Sequence, residues 1–139
     1  MYQQILLAVD GSENSIRAAR EAVKIASLVE GAEVTVVYVS DYKEDENEVI
    51  HDASAMEFDL ARRKKIQPVT EMLDREKIFH HIEVLHGIPG PAIVQMTKDK
   101  QYNLLVIGSR GLSPIREVML GSVSHKVVNH AECPVLVVR

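Results

Sequence analysis

Cysteine is nearly absent: Cys133 is the only one in 139 residues. An internal disulfide is therefore impossible, as is a zinc site built on several thiolates; Cys133 reads as a small buried residue leading into the last strand. Tryptophan is missing, and four tyrosines and two phenylalanines are the whole aromatic complement. No apolar run approaches the roughly 20 residues of a membrane span. The opening Met1-Tyr2-Gln3-Gln4 lacks the basic start of a signal peptide. Neither sign of charge dominates: 16 Lys and Arg against 20 Asp and Glu leave a net −4, which gives no general pull toward nucleic acid or an anionic membrane. These absences predict a cytoplasmic location, with neither nucleic acid nor membrane as partner. Two common nucleotide signatures are missing as well. There is no Gly-x4-Gly-Lys-(Ser/Thr) loop to bring a lysine to terminal phosphates, and no Gly-x-Gly-x-x-Gly. The six histidines are scattered. His80 and His81 are neighbours on a strand and point to opposite faces, and His125 and His130 lie five apart on a helix; neither spacing makes a metal site.

What is present is an alternation of apolar runs and helical stripes, with 46% apolar residues, enough for one domain over residues 1–139 with a substantial core. Gln4 to Asp10 is a nearly continuous apolar run, as in a strand buried on both faces. Gly11-Ser12 breaks it, and Ser12 is a candidate cap for a helix from Glu13 to Val29 with Ile16, Ala19, Val23 and Ala26 on one face. After Gly31, the valine-rich stretch Ala32 to Val39 is a second strand. The β–α–β order implies a parallel pair with a right-handed crossover. Residues 41–48 are acidic and read as a solvated loop, followed by a helical stripe of Val49, Ala53, Met56 and Leu60. Beyond the basic run Arg62-Arg63-Lys64-Lys65, which reads as a solvated helix face, Ile66, Val69, Met72 and Leu73 continue the apolar pattern. Pro68 is predicted to kink or restart this helix.

Phe79 to Leu85 alternates more than the other strands, which suits a place near a sheet edge. Gly87 to Pro91 is a turn, with Pro91 at the first position of a helix ending at Lys98-Asp99-Lys100. Asn103 to Ile107 is a fourth strand, Ser122 to Asn129 a helix with Val123, Val127 and Ala131 on one face, and Pro134 to Val138 a fifth strand. Strands alternating with helices imply an open, parallel, doubly wound sheet. Ligands in such sheets sit at the carboxyl ends of strands where the strand order reverses. Asp10, Val39-Ser40 and Gly108 fall at such ends. If the first and fourth strands are neighbours, Asp10 and Gly108 line one crevice.

The stretch with the most chemistry is Val106-Ile107-Gly108-Ser109-Arg110-Gly111, followed after nine residues by Gly121-Ser122-Val123-Ser124. Glycines let backbone N–H groups approach an anion that a β-carbon would push away. Serine hydroxyls and the unpaired N–H groups of a helix N-terminus add donors and a positive dipole end, a combination that suits phosphates. A plainer reading stays open beside it: Gly108 and Gly111 shape a turn, Ser122 caps a helix, and Asp10 before Gly11 forms a turn.

In this context the spacing Gly108-Ser-Arg-Gly111, Leu112 to Leu120, Gly121-Ser122 resembles the Gly-x2-Gly-x9-Gly-(Ser/Thr) pattern of the nucleotide-binding branch of the universal stress protein family. The resemblance extends to the opening strand ending in Asp10, the valine-rich second strand and the closing Cys-Pro-Val-Leu-Val-Val. It implies a five-stranded Rossmann-like sheet of order 3-2-1-4-5, related to the adenine nucleotide alpha hydrolases, and a homodimer. It gives Asp10 a contact with ribose or adenine, helped by Ala8 and Val9, and Val39 backbone contacts to the adenine edge. Ile107 and Gly108 would pass under the sugar and α-phosphate. Gly111, Gly121, Ser122, Val123 and Ser124 would hold phosphates, with Ser109 inside the motif and Arg110 adding charge or pointing to solvent. Ala8 departs from the proline of some ATP-binding members, losing rigidity beside the base. The implied ligand is ATP, AMP or ADP, with Mg2+ held through the phosphates; the cradle alone does not choose among them or a cyclic nucleotide. The implied role is a nucleotide-responsive regulatory or protective module in stress response, with a protein partner that the residues do not identify. The Pro134 to Val138 strand, apolar on both faces, would be an exposed edge unless self-pairing across a two-fold axis covered it, an independent reason to expect the dimer.

Three other functions fit parts of the same pattern. A hydrolase or phosphotransferase would need a base, and only His125, near the helix start, stands close to the expected phosphates. A dimeric chaperone-like scaffold would use the glycine motif as architecture alone. An FMN-binding flavodoxin-like domain is disfavoured because no aromatic residue stands beside the glycine segment.

Overall fold

The computed structural model describes residues 1–40, 55–110 and 121–139. Along the chain these form β1 (Gln4–Val9), α1 (Glu13–Leu28), β2 (Glu33–Ser40), α2 (Ala55–Arg75), β3 (Phe79–His86), α3 (Pro89–Asp99), β4 (Leu104–Gly108), α4 (Ser122–His130) and β5 (Val135–Val138). The five strands make one sheet in the order β3-β2-β1-β4-β5, and every neighbouring pair is parallel. The central register aligns Leu7 with Val36 on one side and with Val106 on the other. The order reverses between β1 and β4, as a doubly wound chain requires.

Alternation along the strands supplies two cores. Ile5, Leu7, Val34, Val36, Leu104 and Val106 face α1 and α2, where Ala18, Ala22, Ile66, Val69 and Leu73 meet them. Leu6, Ala8, Val37, Leu105 and Ile107 face α3 and α4, against Ile93, Val94, Met96 and Val127. Both faces of β1, β2 and β4 are thus covered, which explains their nearly continuous apolar sequences. The alternating Phe79–His86 strand is indeed at an edge, with Phe79, Ile82 and Val84 exposed.

Most element boundaries fall within a residue of the sequence expectation, and two larger departures concern proline. Helix α2 runs unbroken through Pro68, so the predicted restart does not occur. Pro68 and Lys64 are both on the exposed side, so the Lys64 carbonyl that loses its helical donor faces water. Buried Ile66, Val69 and Leu73 hold the helix on either side of the break in hydrogen bonding. Helix α3 begins two residues earlier than expected, with Pro89 at the first helical position. Pro91 is accommodated in the same turn, because the first N–H groups of a helix have no intrahelical acceptor. Of the stripe expected from Val49 to Leu60, Val49 and Ala53 lie outside the described residues, as do acidic residues 41–48; Leu60 is half exposed.

Candidate functional site

Three strand ends converge at the reversal point. The β1 end leads into a tight turn, Asp10-Gly11-Ser12, in which an Asp10 carboxylate oxygen accepts a hydrogen bond from the Ser12 N–H at 2.9 Å. Gly11 has φ +87°, the left-handed region that favours glycine. Ser12 then caps α1: its side chain accepts from the Ser15 N–H at 3.2 Å, and the Ser15 hydroxyl donates back to the Ser12 carbonyl at 2.9 Å. The plain reading of Asp10 as a turn former is therefore true of its geometry, and the same turn sets Asp10 at the mouth of a cleft.

The β4 end is built from close backbone approach. Gly108 sits flush against the start of α1, where a β-carbon would fall 2.9 Å from the Asn14 backbone. Glycine is required there by packing before any ligand is considered. Beyond it, the Gly121 N–H donates to the Ser109 carbonyl at 2.7 Å. The Ser124 hydroxyl, almost fully buried, donates toward the Gly108 and Ser109 carbonyls at 2.9 and 3.0 Å. These bonds tie the first turn of α4 to the end of β4. They also commit the single Ser124 hydroxyl proton to the backbone, so an anion at this end would meet N–H groups rather than that hydroxyl. Gly121 is the N-cap of α4, and the N–H groups of Ser122, Val123 and Ser124 that follow have no partner within the helix.

Between these ends opens a cleft of about 100 Å³, open on one side to solvent. Its walls include Ala8, Val9 and Asp10 from β1 and its turn, Val39 from β2, Ile107, Gly108 and Arg110 from the β4 end, and Val123 and Ser124 from α4. Nine of the thirteen residues singled out in the sequence thus meet in one place. Ser109, Gly121 and Ser122 are not in its walls; Ser109 and Gly121 serve as the backbone link behind it, and Ser122 is exposed at the helix start. Gly111, like Leu112 to Leu120, lies outside the described residues.

Four further wall residues were missed: Ser15, Val37, Pro89 and Ile93. Val37 lies two residues before Val39 on the same strand, and the period of two would have found it. Pro89 and Ile93 belong to α3, whose passage over the crevice follows from the crossover between β3 and β4, not from any local motif. Most of the wall is apolar, with the polar atoms grouped at Asp10 on one side and at the α4 start with Arg110 on the other. A flat apolar group with an anionic tail fits that division.

Among the described residues no group of three or more His, Cys, Asp or Glu side chains is placed to hold a metal ion. His125 is exposed on α4, 3.4 Å from the Asn129 amide nitrogen, and is not in the cleft wall. Cys133 is not in the cleft wall, and burial pushes its thiol above the usual range. No helix among the described residues is long and apolar enough to cross a membrane.

Comparison with known proteins agrees on one family. A sequence model of the universal stress protein family matches residues 1–139. Universal stress protein MJ0531 of Methanocaldococcus jannaschii is 34% identical over an alignment covering 100% of this chain and 83% of that protein. Universal stress protein YxiE of Bacillus subtilis is 34% identical with both chains covered in full, 100% and 100%. Among solved structures, the universal stress protein UspA of Lactobacillus plantarum superposes with a TM-score of 0.76 at 32% identity, covering 99% of this chain and 98% of that one. More distant structures share the fold, and some hold nucleotides. A universal stress protein in complex with cAMP matches with a TM-score of 0.72 at 24% identity, over 99% of this chain and 97% of the other. A family member from Arabidopsis thaliana with AMP bound gives 0.68 at 22%, over 96% and 89%. The Archaeoglobus fulgidus protein in complex with dAMP gives 0.73 at 20%, over 99% and 98%.

Proposed function

The chain belongs to the universal stress protein family, and on that premise we propose that its cleft binds an adenine nucleotide, ATP or its mono- or diphosphate. The observation that carries this reading is the meeting, in one cleft, of Asp10, Val39 and Gly108 at three strand ends with the open N-terminus of α4. Family members of the same fold hold AMP, cAMP or dAMP, which supports adenine as the base. The apolar walls at Ala8, Val37, Val39, Ile93 and Ile107 would take the ring, and Asp10 would accept from ribose hydroxyls. The N–H groups of Ser122, Val123 and Ser124 would face the phosphates, with Gly111 and Arg110 beside them. Mg2+ would be carried by the phosphates of ATP, since a metal-binding side-chain cluster is not found among the described residues.

We read residues 1–139 as one such binding domain acting in the cytoplasm, a nucleotide-responsive regulator rather than an enzyme, because no acid–base side chain other than Asp10 lines the described cleft. Pairing of β5 across a two-fold axis would make the homodimer. In the single chain Val135 to Val138 are only half buried at the sheet edge, and a second copy would cover them. Sedimentation should then show a dimer that Val137→Lys splits into monomers; a wild-type monomer would contradict the pairing.

The nucleotide reading is tested on protein purified without added nucleotide. Denaturation followed by chromatography and mass measurement should release an adenine nucleotide, or the empty protein should bind ATP or AMP in a calorimetric titration. Val39→Trp, which fills the cleft from the β2 wall, should abolish both. Empty protein that takes up neither ligand at millimolar concentration would overturn the proposal.

A further inference from the structure

The basic run Arg62-Arg63-Lys64-Lys65 is not one solvated face. Arg63 and Lys64 are exposed, whereas Lys65 is half buried and turned toward the sheet. Its stem lies against the Gly11 turn: Cβ and Cγ are 3.3 Å, and Cδ 3.6 Å, from the position a Gly11 β-carbon would take. A β-carbon at residue 11 would crowd that stem, in addition to the strain that the φ of +87° imposes on any residue but glycine. The Lys65 ammonium donates to the Tyr38 hydroxyl at 3.2 Å and lies 5.7 Å from the centre of the Tyr38 ring, a distance at which the ring also attracts the charge. Tyr38 is 3% exposed and belongs to the core on the α1 and α2 side.

One side chain of α2 thus touches two segments that border the cleft, and does so from the opposite face of the sheet. Gly11 follows Asp10. Tyr38 precedes Val39, whose side chain points the other way, into the cleft. Asp10 and Val39 are the two positions that border the ribose and base in that reading, while the β4–α4 end is held by its own bonds through Ser124 and Gly121. We propose that Lys65 is a positioning residue for the nucleoside half of the site, setting affinity for the base and ribose through Tyr38 and the Gly11 turn. This rests on the nucleotide reading above.

The test uses the full chain with adenosine, AMP and tripolyphosphate as probes. Lys65→Met keeps the stem against Gly11 and removes the ammonium; Tyr38→Phe removes the acceptor. Each should weaken adenosine and AMP about three- to tenfold, and the double variant no more than Lys65→Met alone, because removing the ammonium already takes away both the hydrogen bond and the ring contact. Tripolyphosphate affinity should stay within twofold, and Lys65→Arg should restore AMP binding. In protein carrying 13C at the tyrosine Cζ, the Tyr38 resonance should move on adding AMP to the wild type and stay still in Lys65→Met. A purely structural brace would lower thermal stability but leave these affinities and that resonance shift intact, and this result would overturn the proposal. If Lys65→Met does not fold, Tyr38→Phe and Lys65→Arg decide by the same criteria. A wild type that binds neither AMP nor adenosine would overturn the nucleotide reading itself, whereas wild-type affinity in the variants would overturn only the role of Lys65.

Discussion

The two ends of the same sheet treat their polar groups in opposite ways. At the amino ends of β2 and β3, side chains bond to one another across the strands. His81 lies 3.5 Å from Glu33 and 3.2 Å from the Thr35 hydroxyl, Tyr102 hydrogen-bonds Thr35, and Lys100 meets Glu83 at 2.6 Å. Thr35 is 2% exposed, so its hydroxyl has to be partnered within the protein. At the carboxyl ends the bonds run between backbone segments, at Gly108, Ser109 and Gly121, and they shape an opening instead of filling it. The first end has a serine-protease-like order of carboxylate, imidazole and hydroxyl, yet its hydroxyl is closed to any substrate. The second has few charged side chains and a cleft. Polar side chains in a row signal function less reliably than backbone arranged around a space.

Substitutions at the two ends should separate these roles, and the largest effect is expected at Gly108. Gly108→Ala places a β-carbon against the Asn14 backbone and should cost about 1–3 kcal/mol of stability in urea unfolding. An unchanged midpoint would mean that the α1 start gives way easily and that the glycine is kept for ligand alone. At the other end, Thr35→Val removes the shared partner of His81 and Tyr102 and should cost about 1–2 kcal/mol while leaving the AMP Kd unaltered. A weaker Kd there would join the two ends and break the comparison.

How far the sequence alone reached follows the same division. The alternation of strands and helices, and the placing of Asp10, Val39 and Gly108 at strand ends, were legible because apolar runs and turn residues are local signals. The family resemblance supplied the pairing of β1 with β4. Pro89 and Ile93 were not legible as cleft walls, because only the crossover brings α3 over the opening. The double use of Ser124 was hidden because a helix-start serine reads alike whether its hydroxyl serves a ligand or the preceding strand. Of the two outcomes expected at Pro68, a kink or a restart, the restart does not occur, because an exposed break in helical hydrogen bonding costs less than a buried one. Lys65 was hidden inside a charge run in which Arg63 and Lys64 are exposed.

Smaller effects sharpen the contrast further. Arg110→Ala should weaken ATP about three- to tenfold and adenosine little, with stability unchanged, since a charge at the cleft rim acts on the phosphates. Equal losses for both ligands would place Arg110 against the base instead. The smallest effect concerns alkaline pH. The hydrogen bond from Lys100 to Glu83 raises the Lys100 pKa, and burial raises that of Tyr102. Both groups hold their proton more tightly folded than unfolded, so their contribution is fully present below about pH 10 and is lost as pH rises through the folded values. Unfolding midpoints should therefore fall above about pH 10, less steeply in Tyr102→Phe, with no matching change in the cleft.

The most direct measurement is a map of backbone amide shifts in the 15N-labelled protein during titration with AMP. The account predicts perturbations gathered at Ala8, Val39, Ile107 and Val123, with Thr35, His81 and Glu83 unmoved. No shifts at millimolar AMP and ATP, or shifts confined to the amino ends of β2 and β3, would contradict it.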